Sequence, residues 1–151
     1  MSTSKTIAFF SVGGGPLAWA PSENGYGPQC LLIRSRAAWA KIADTFSMNP
    51  ERSSKDGEKR LASVDFTRES ILAVTLGEVG STGFDIELQR IDAGPPERLV
   101  MTTKRPGPDQ MTGAMVTHPF HLVILEAASL PESLTFELDG KPATFDRHIF
   151  E

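Results

Sequence analysis

The sequence predicts an all-β (β-rich α+β) fold: an antiparallel sandwich or open barrel with one short helix packed on it. Three observations lead there. Thirteen Gly and eleven Pro in 151 residues supply frequent turns. Apolar runs of strand length recur at about 70–77, 84–92, 97–104, 120–126, 133–138 and 143–147. Within one of them, Phe84, Ile86, Leu88 and Ile91 nearly alternate with Asp85, Glu87 and Gln89. Such alternation puts one face on a core and one in water.

The elements follow in chain order. Lys5–Val12 reads as a first strand, ended by the breaker Gly13-Gly14-Gly15-Pro16. Leu17–Ala20 is a candidate short strand, and Pro21–Pro28, with Asn24-Gly25 inside it, a loop. Gln29–Arg34 reads as a buried strand. Ser35 then caps a helix over about 35–47, since its hydroxyl can accept from an orphan amide in the first turn. Trp39, Ile42, Ala43 and Phe46 fall at i, i+3, i+4 and i+7, a single apolar face for packing on a sheet. Residues 48–62 are polar, charged and aperiodic, and are expected to form a mobile loop. The slip in alternation between Leu88 and Ile91 predicts a bulge near Arg90. Asp139-Gly140 marks the final hairpin turn. With no internal repeat and no composition break, residues 1–151 are expected to be a single domain.

Composition narrows the function classes. A formal net charge of −4 with scattered Lys and Arg lacks the clustered positive charge that releases phosphate counterions, so nucleic acid is not an expected partner. The N-terminal run Ile7-Ala8-Phe9-Phe10 is too short to span a membrane. It is also short for a signal-peptide core, and no small-x-small cleavage pattern follows it. Two expectations stay open: the chain as written is cytoplasmic, or a leader has been removed ahead of Met1. Cys30 is the single cysteine, so no intrachain disulfide forms. It lies in Cys30-Leu31-Leu32-Ile33 and is expected to be a buried small hydrophobe, since a reactive thiol needs a base or cation beside it.

Four places could carry function. The Gly77–Phe84 turn, with Gly77, Gly80 and Gly83, allows positive φ and close approach by a partner. It is an exposed recognition loop or a hairpin turn whose glycines serve geometry alone. His118 and His121 are a candidate metal pair for a metal-assisted enzyme. Strand alternation points them to opposite faces, though, and a third ligand would have to come from elsewhere. The expected arrangement is Pro119 opening an edge strand with the histidines at its rim. No serine elbow, zinc-protease helix, phosphate loop or dinucleotide fingerprint is present, so no catalytic residues, cofactor or metal are assigned. Finally, in Val64-Asp65-Phe66-Thr67-Arg68-Glu69, Asp65 is expected to cap a turn and pair with Arg68, with Phe66 inserted in the core.

The order Val64-Asp65-Phe66, then Ser70–Gly77, Ser81-Thr82-Gly83-Phe84-Asp85-Ile86-Glu87-Leu88, Lys104–Pro108 and Thr117-His118-Pro119-Phe120 resembles the PrcB-type family. That family is named for an accessory subunit of an extracytoplasmic bacterial protease complex. Leu31-Leu32-Ile33-Arg34-Ser35 with Ala38-Trp39 extends the likeness to roughly residues 28–127. Two motifs depart from it: a Thr-Gly-Gly-Tyr turn is here Ser81-Thr82-Gly83-Phe84, and a Thr-Ser-Pro-Tyr lead-in is Thr117-His118-Pro119-Phe120. The resemblance brings no defined enzymatic activity with it. It implies a non-catalytic protein-binding module with a protein partner such as a protease, and an extracytoplasmic setting. The residues expected to bind are Gly80, Ser81, Thr82, Gly83, Phe84, Arg105 and Pro106. The same turn is similar to the Thr-Thr-Gly-Phe loop of chagasin-type cysteine-protease inhibitors, and Arg105-Pro106 to their Arg-Pro-aromatic loop without its aromatic. That gives an alternative reading as a loop-based protease inhibitor. Oligomeric state is not legible.

Overall fold

Three strands are mostly apolar and buried along their whole length because the sheet that holds them is covered on both faces. In the computed structural model, residues 6–16, 27–46, 55–77, 85–94, 97–104 and 118–151 are described. Among them the strands are β1 (Phe9–Pro16), β2 (Gln29–Ile33), β3 (Ser70–Thr75), β4 (Asp85–Asp92), β5 (Arg98–Lys104), β6 (Pro119–Leu125), β7 (Thr135–Leu138), β8 (Lys141–Ala143) and β9 (Asp146–Phe150). They form a five-stranded sheet, β1-β6-β3-β2-β9, and a four-stranded sheet, β4-β5-β7-β8. Pairing is antiparallel except for β2–β9 and β5–β7. This is the β-rich sandwich that the sequence predicts; no closed barrel forms.

Between the sheets, Leu32, Leu72, Val74, Val123 and Leu125 meet Ile86, Leu88, Ile91, Leu99, Met101 and Phe136. Behind the five-stranded sheet, Leu31, Ile33, Ile71, Ala73, Phe120, Leu122 and Ile124 meet Ala38, Ile42, Phe46 and Val64. Hence β2, β3 and β6 are buried at every position. β4, with solvent on one side, alternates. Its register slips between Leu88 and Arg90, the bulge expected there.

Helix α1 (Arg36–Ile42) continues as a 3-10 turn over Ala43–Thr45. Ser35 is its N-cap, and its Oγ accepts from the Ala38 amide at 3.1 Å. The Trp39 ring stacks on Phe46 at 5.5 Å, and Phe46 meets Phe120 edge-on at 5.0 Å. The predicted apolar stripe thus seats the helix on β6.

The structure corrects several expectations. Gly13-Gly14-Gly15-Pro16 does not end the first strand. These residues pair with Leu122, His121, Phe120 and Pro119, so ladder bonds to an apolar neighbour override poor intrinsic propensity. The expected 48–62 loop contains helix α2 (Lys55–Ala62). Asp56 and Glu58 lie in its first turn and Lys59 and Arg60 in its last, the polarity that the helix dipole favours. α2 crosses β1 closely: a Cβ on Gly57 would lie 2.8 Å from the Val12 carbonyl oxygen. Pro119 opens an interior strand rather than an edge strand. It occupies the first position of β6, between β1 and β3, where its missing donor is tolerated. Asp139 (φ 52) and Gly140 (φ 81) do turn β7 into β8, but that hairpin is not the last element. β9 follows and crosses to the other sheet, parallel to β2. The strand expected over Leu17–Ala20, residues 21–26 of the expected loop and residues 47–54 lie outside the described residues.

Candidate functional site

Strand direction decides which connections share an end of the sandwich. β1 finishes at Pro16, paired with Pro119 at the start of β6. β3 finishes at Thr75, paired with Gln29 at the start of β2 and with Phe120. β4 runs in the same sense as β6. The Leu88 amide bonds His121 near the start of β6, and the Ile91 carbonyl accepts from Ile7, two residues before the Phe9 that faces Leu125 at its finish. Asp85 and its partner Lys104 therefore lie at the end where β3 finishes and β6 starts.

Direct contacts tie these flanks together. Gly77 has φ +78, and a Cβ there would lie 2.3 Å from the Gly27 carbonyl oxygen. Two backbones thus touch where only glycine fits. The Gly77 amide donates to Thr75 Oγ1 at 3.1 Å, and the Leu76 amide donates to the Pro119 carbonyl at 3.2 Å. Where β4 begins and β5 ends, a shallow depression of about 210 Å³ is lined by Asp85, Glu87, Thr102 and Lys104 among others. The chain leaves and re-enters this one end at residues 16 and 27, 77 and 85, and 104 and 118. Gly80, Ser81, Thr82, Gly83, Phe84, Arg105 and Pro106 lie outside the described residues, between these flanks. Sequence reading missed the Gly27–Gly77 contact; a turn glycine in each segment was the only signal, and it does not specify a pair.

His121 is not at a rim, contrary to expectation. It is 4% exposed. Its Nδ1 accepts from the Leu88 amide at 2.9 Å and its Nε2 donates to Ser11 Oγ at 2.7 Å. This tautomer follows from the bonding, because a nitrogen that accepts an amide proton carries none itself. It is the wrong tautomer for a base acting on Ser11, whose hydroxyl receives a proton rather than giving one. Among the described residues, no group of three His, Cys, Asp or Glu is placed to hold a metal ion. Cys30 is buried, and burial pushes its thiol up to about 12, with Arg147 opposing weakly. A thiol held protonated is a poor nucleophile.

At the turn before β3, Asp65 Oδ1 accepts from the Thr67 amide at 3.1 Å and its hydroxyl at 2.6 Å. These bonds, with a smaller contribution from Arg68, lower the Asp65 pKa. Glu69 accepts from Arg60 and, at 3.0 Å, from the Asp65 amide, and both lower its pKa. The expected Asp65–Arg68 pair forms at 3.1 Å on the surface, and Phe66 packs at the margin of the core rather than inside it. All of this is turn architecture.

With that geometry, the decisive comparison is with family models. Residues 70–126 match the PrcB C-terminal family model. Over that stretch the chain is PrcB C-terminal-like. The match begins at β3 and runs through β6, so it takes in both segments, 78–84 and 105–117, that hold the expected binding residues. No curated protein and no solved structure matches the chain. The PrcB C-terminal-like stretch thus supplies the two central strands β3 and β6 and the facing hairpin β4–β5.

Proposed function

We propose that this protein is a non-catalytic, protein-binding accessory module of a protease complex, docking through the loop-bearing end of the sandwich. The observation that carries the reading is the convergence of Gly27, Gly77, Asp85, Lys104 and His118 at one end. Both matched segments depart from and return to that end. A rigid sandwich holding several loops at one end is a common way to present a binding surface. Two groups best suited to chemistry, His121 and Cys30, are engaged in the interior instead.

The reading assigns docking to Gly80–Phe84 with Arg105 and Pro106. The test is capture from fractionated source cells with wild type, Gly83→Arg and Arg105→Ala, each checked for its melting temperature. The expected result is a protease or protease-complex subunit retained by wild type and lost by both variants, with melting unchanged. Melting that collapses in Gly83→Arg, with Arg105→Ala still binding, assigns these residues to turn geometry and removes the docking role. Direct slowing of a cysteine or serine protease by purified protein supports the inhibitor alternative instead.

A further inference from the structure

The two edges of the five-stranded sheet are treated differently. At one edge, β1 is overlaid by α2 near Gly57, and the chain just before it crosses to the other sheet, where Thr6 bridges Asp92 and Ile7 bonds Ile91. At the other edge lies β9, Asp-Arg-His-Ile-Phe. It has no proline, no lysine and no register slip against β2. Shortness and the charges of Asp146 and Arg147 are the blunting devices it does carry, and Arg147 can be matched by a partner of opposite charge. Ile149 on it is 51% exposed, one of two large exposed hydrophobic residues among those described.

Backbone direction specifies what this edge offers. The Asp146 amide donates to Pro28, and the Phe150 carbonyl accepts from Arg34. Asp146, His148 and Phe150 therefore turn their peptide groups toward β2. Arg147 and Ile149 turn theirs away from β2, to a side where no described strand pairs with β9. An antiparallel strand added there must pair with Arg147 and Ile149, and with Glu151 just beyond.

We propose that β9 pairs antiparallel with β9 of a second copy of this chain, across a two-fold axis at Ile149. This register places Ile149 against Ile149 as a hydrogen-bonded pair, burying the exposed side chains on each other. It also places Arg147 of each copy opposite Glu151 of the other, giving two complementary charge pairs. Centring one residue earlier, on His148, puts Arg147 opposite Ile149 and loses both complements. The charges are accessible. Glu151 is 67% exposed and bonded to Arg34, and Arg147 uses one Nη1 bond, to the Glu132 carbonyl at 3.0 Å, out of five donors. Two five-stranded sheets become one continuous sheet across the axis. An edge-only contact belongs to the small, reversible class of interface.

The test is sedimentation velocity on the purified full chain over a wide concentration range, with amide exchange followed at both extremes. Wild type is expected to show a reversible monomer–dimer equilibrium, with the Ile149 amide gaining protection as dimer forms and the His148 amide unchanged. Ile149→Lys sets two like charges on the axis and is expected to weaken the dimer at least ~10-fold. Arg147→Glu is expected to weaken it too, and Arg147→Glu with Glu151→Arg to restore it. A chain that stays monomeric at every concentration overturns the proposal. So does a dimer indifferent to Ile149→Lys, or one in which the charge exchange restores nothing while the variants remain folded by circular dichroism.

Discussion

The imidazole of His121, on β6 of one sheet, accepts the backbone N–H of Leu88, on β4 of the other, at 2.9 Å. The bulge between Leu88 and Arg90 aligns with this bond, since a classic bulge takes residues out of ladder register. The same ring donates to Ser11, so one buried side chain joins β1, β6 and β4. His121→Phe keeps a planar ring, slightly larger, but leaves the Leu88 donor unmet. It is expected to destabilise the fold by about 1–3 kcal/mol, the cost of an unsatisfied buried donor. Ser11→Ala, which removes a partner at the exposed side, is expected to cost less. Urea unfolding of both variants checks the order; equal losses would show that the Leu88 bond is not the dominant one.

Arg36 on α1 holds the far end of α2. Its guanidinium donates to the carbonyls of Leu61 at 2.8 Å, Ala62 at 3.3 Å and Val64 at 3.0 Å, and lies 5.1 Å from the centre of the Phe66 ring. The Leu61 and Ala62 carbonyls are among those that a helix C-terminus leaves without partners. Arg36→Ala is expected to cost about 1–2 kcal/mol. Arg36→Lys is expected to recover little, because an ammonium cannot span three acceptors and stack flat on a ring. Proteolysis is the sharper measurement: α2 should become a cleavage site in both variants while β3 and β6 stay resistant.

That helix shows where the sequence stopped being legible. Residues 55–62 look aperiodic because α2 gains its order from an Arg brought by another element and from Gly57 against Val12, neither a local signal. Gly13–Gly15 form strand for the same reason: the partner strand β6 decides. By contrast, Ser35, the Trp39–Phe46 stripe, the bulge near Arg90 and the Asp139-Gly140 turn are local, and each was readable. For the candidate site, the sequence singles out the segments around Gly80–Phe84 and Arg105-Pro106. Their shared end was not legible, because it depends on strand order and on the contact between Gly27 and Gly77.

Stability is expected to fall in mild acid through the turn before β3. Asp65 and Glu69 both have folded-state pKa values below their usual 3.8 and 4.5. A lowered carboxylate pKa means that the folded state holds the charged form more tightly than the unfolded chain does. Their contribution is therefore complete above about 4.5 and is lost as pH falls through the folded values. Glu69→Gln removes the negative charge that pairs with Arg60 and exchanges one of the two acceptor oxygens for a donor, and should flatten that part of the profile while lowering stability at pH 7. Thermal melts from pH 7 to pH 3 measure it. A Glu69→Gln profile parallel to wild type would remove Glu69 from the acid response.

Two glycines of almost equal φ separate backbone strain from crowding. Gly77 (φ +78) lies against Gly27, whereas Gly140 (φ +81) has nothing within 4 Å of a Cβ position. Gly140→Ala is expected to cost only left-handed strain, about 1 kcal/mol. Gly77→Ala adds a collision with fixed backbone, and a loss of at least ~2–3 kcal/mol is expected. Relief requires the chains at residues 27 and 77 to part. Under the proposed docking role, the damage should therefore extend to partner binding, while Gly140→Ala leaves binding intact. Comparing melting temperature with partner affinity for the two variants tests this. Unchanged affinity in a destabilised Gly77→Ala protein would show that the Gly27–Gly77 contact serves folding alone.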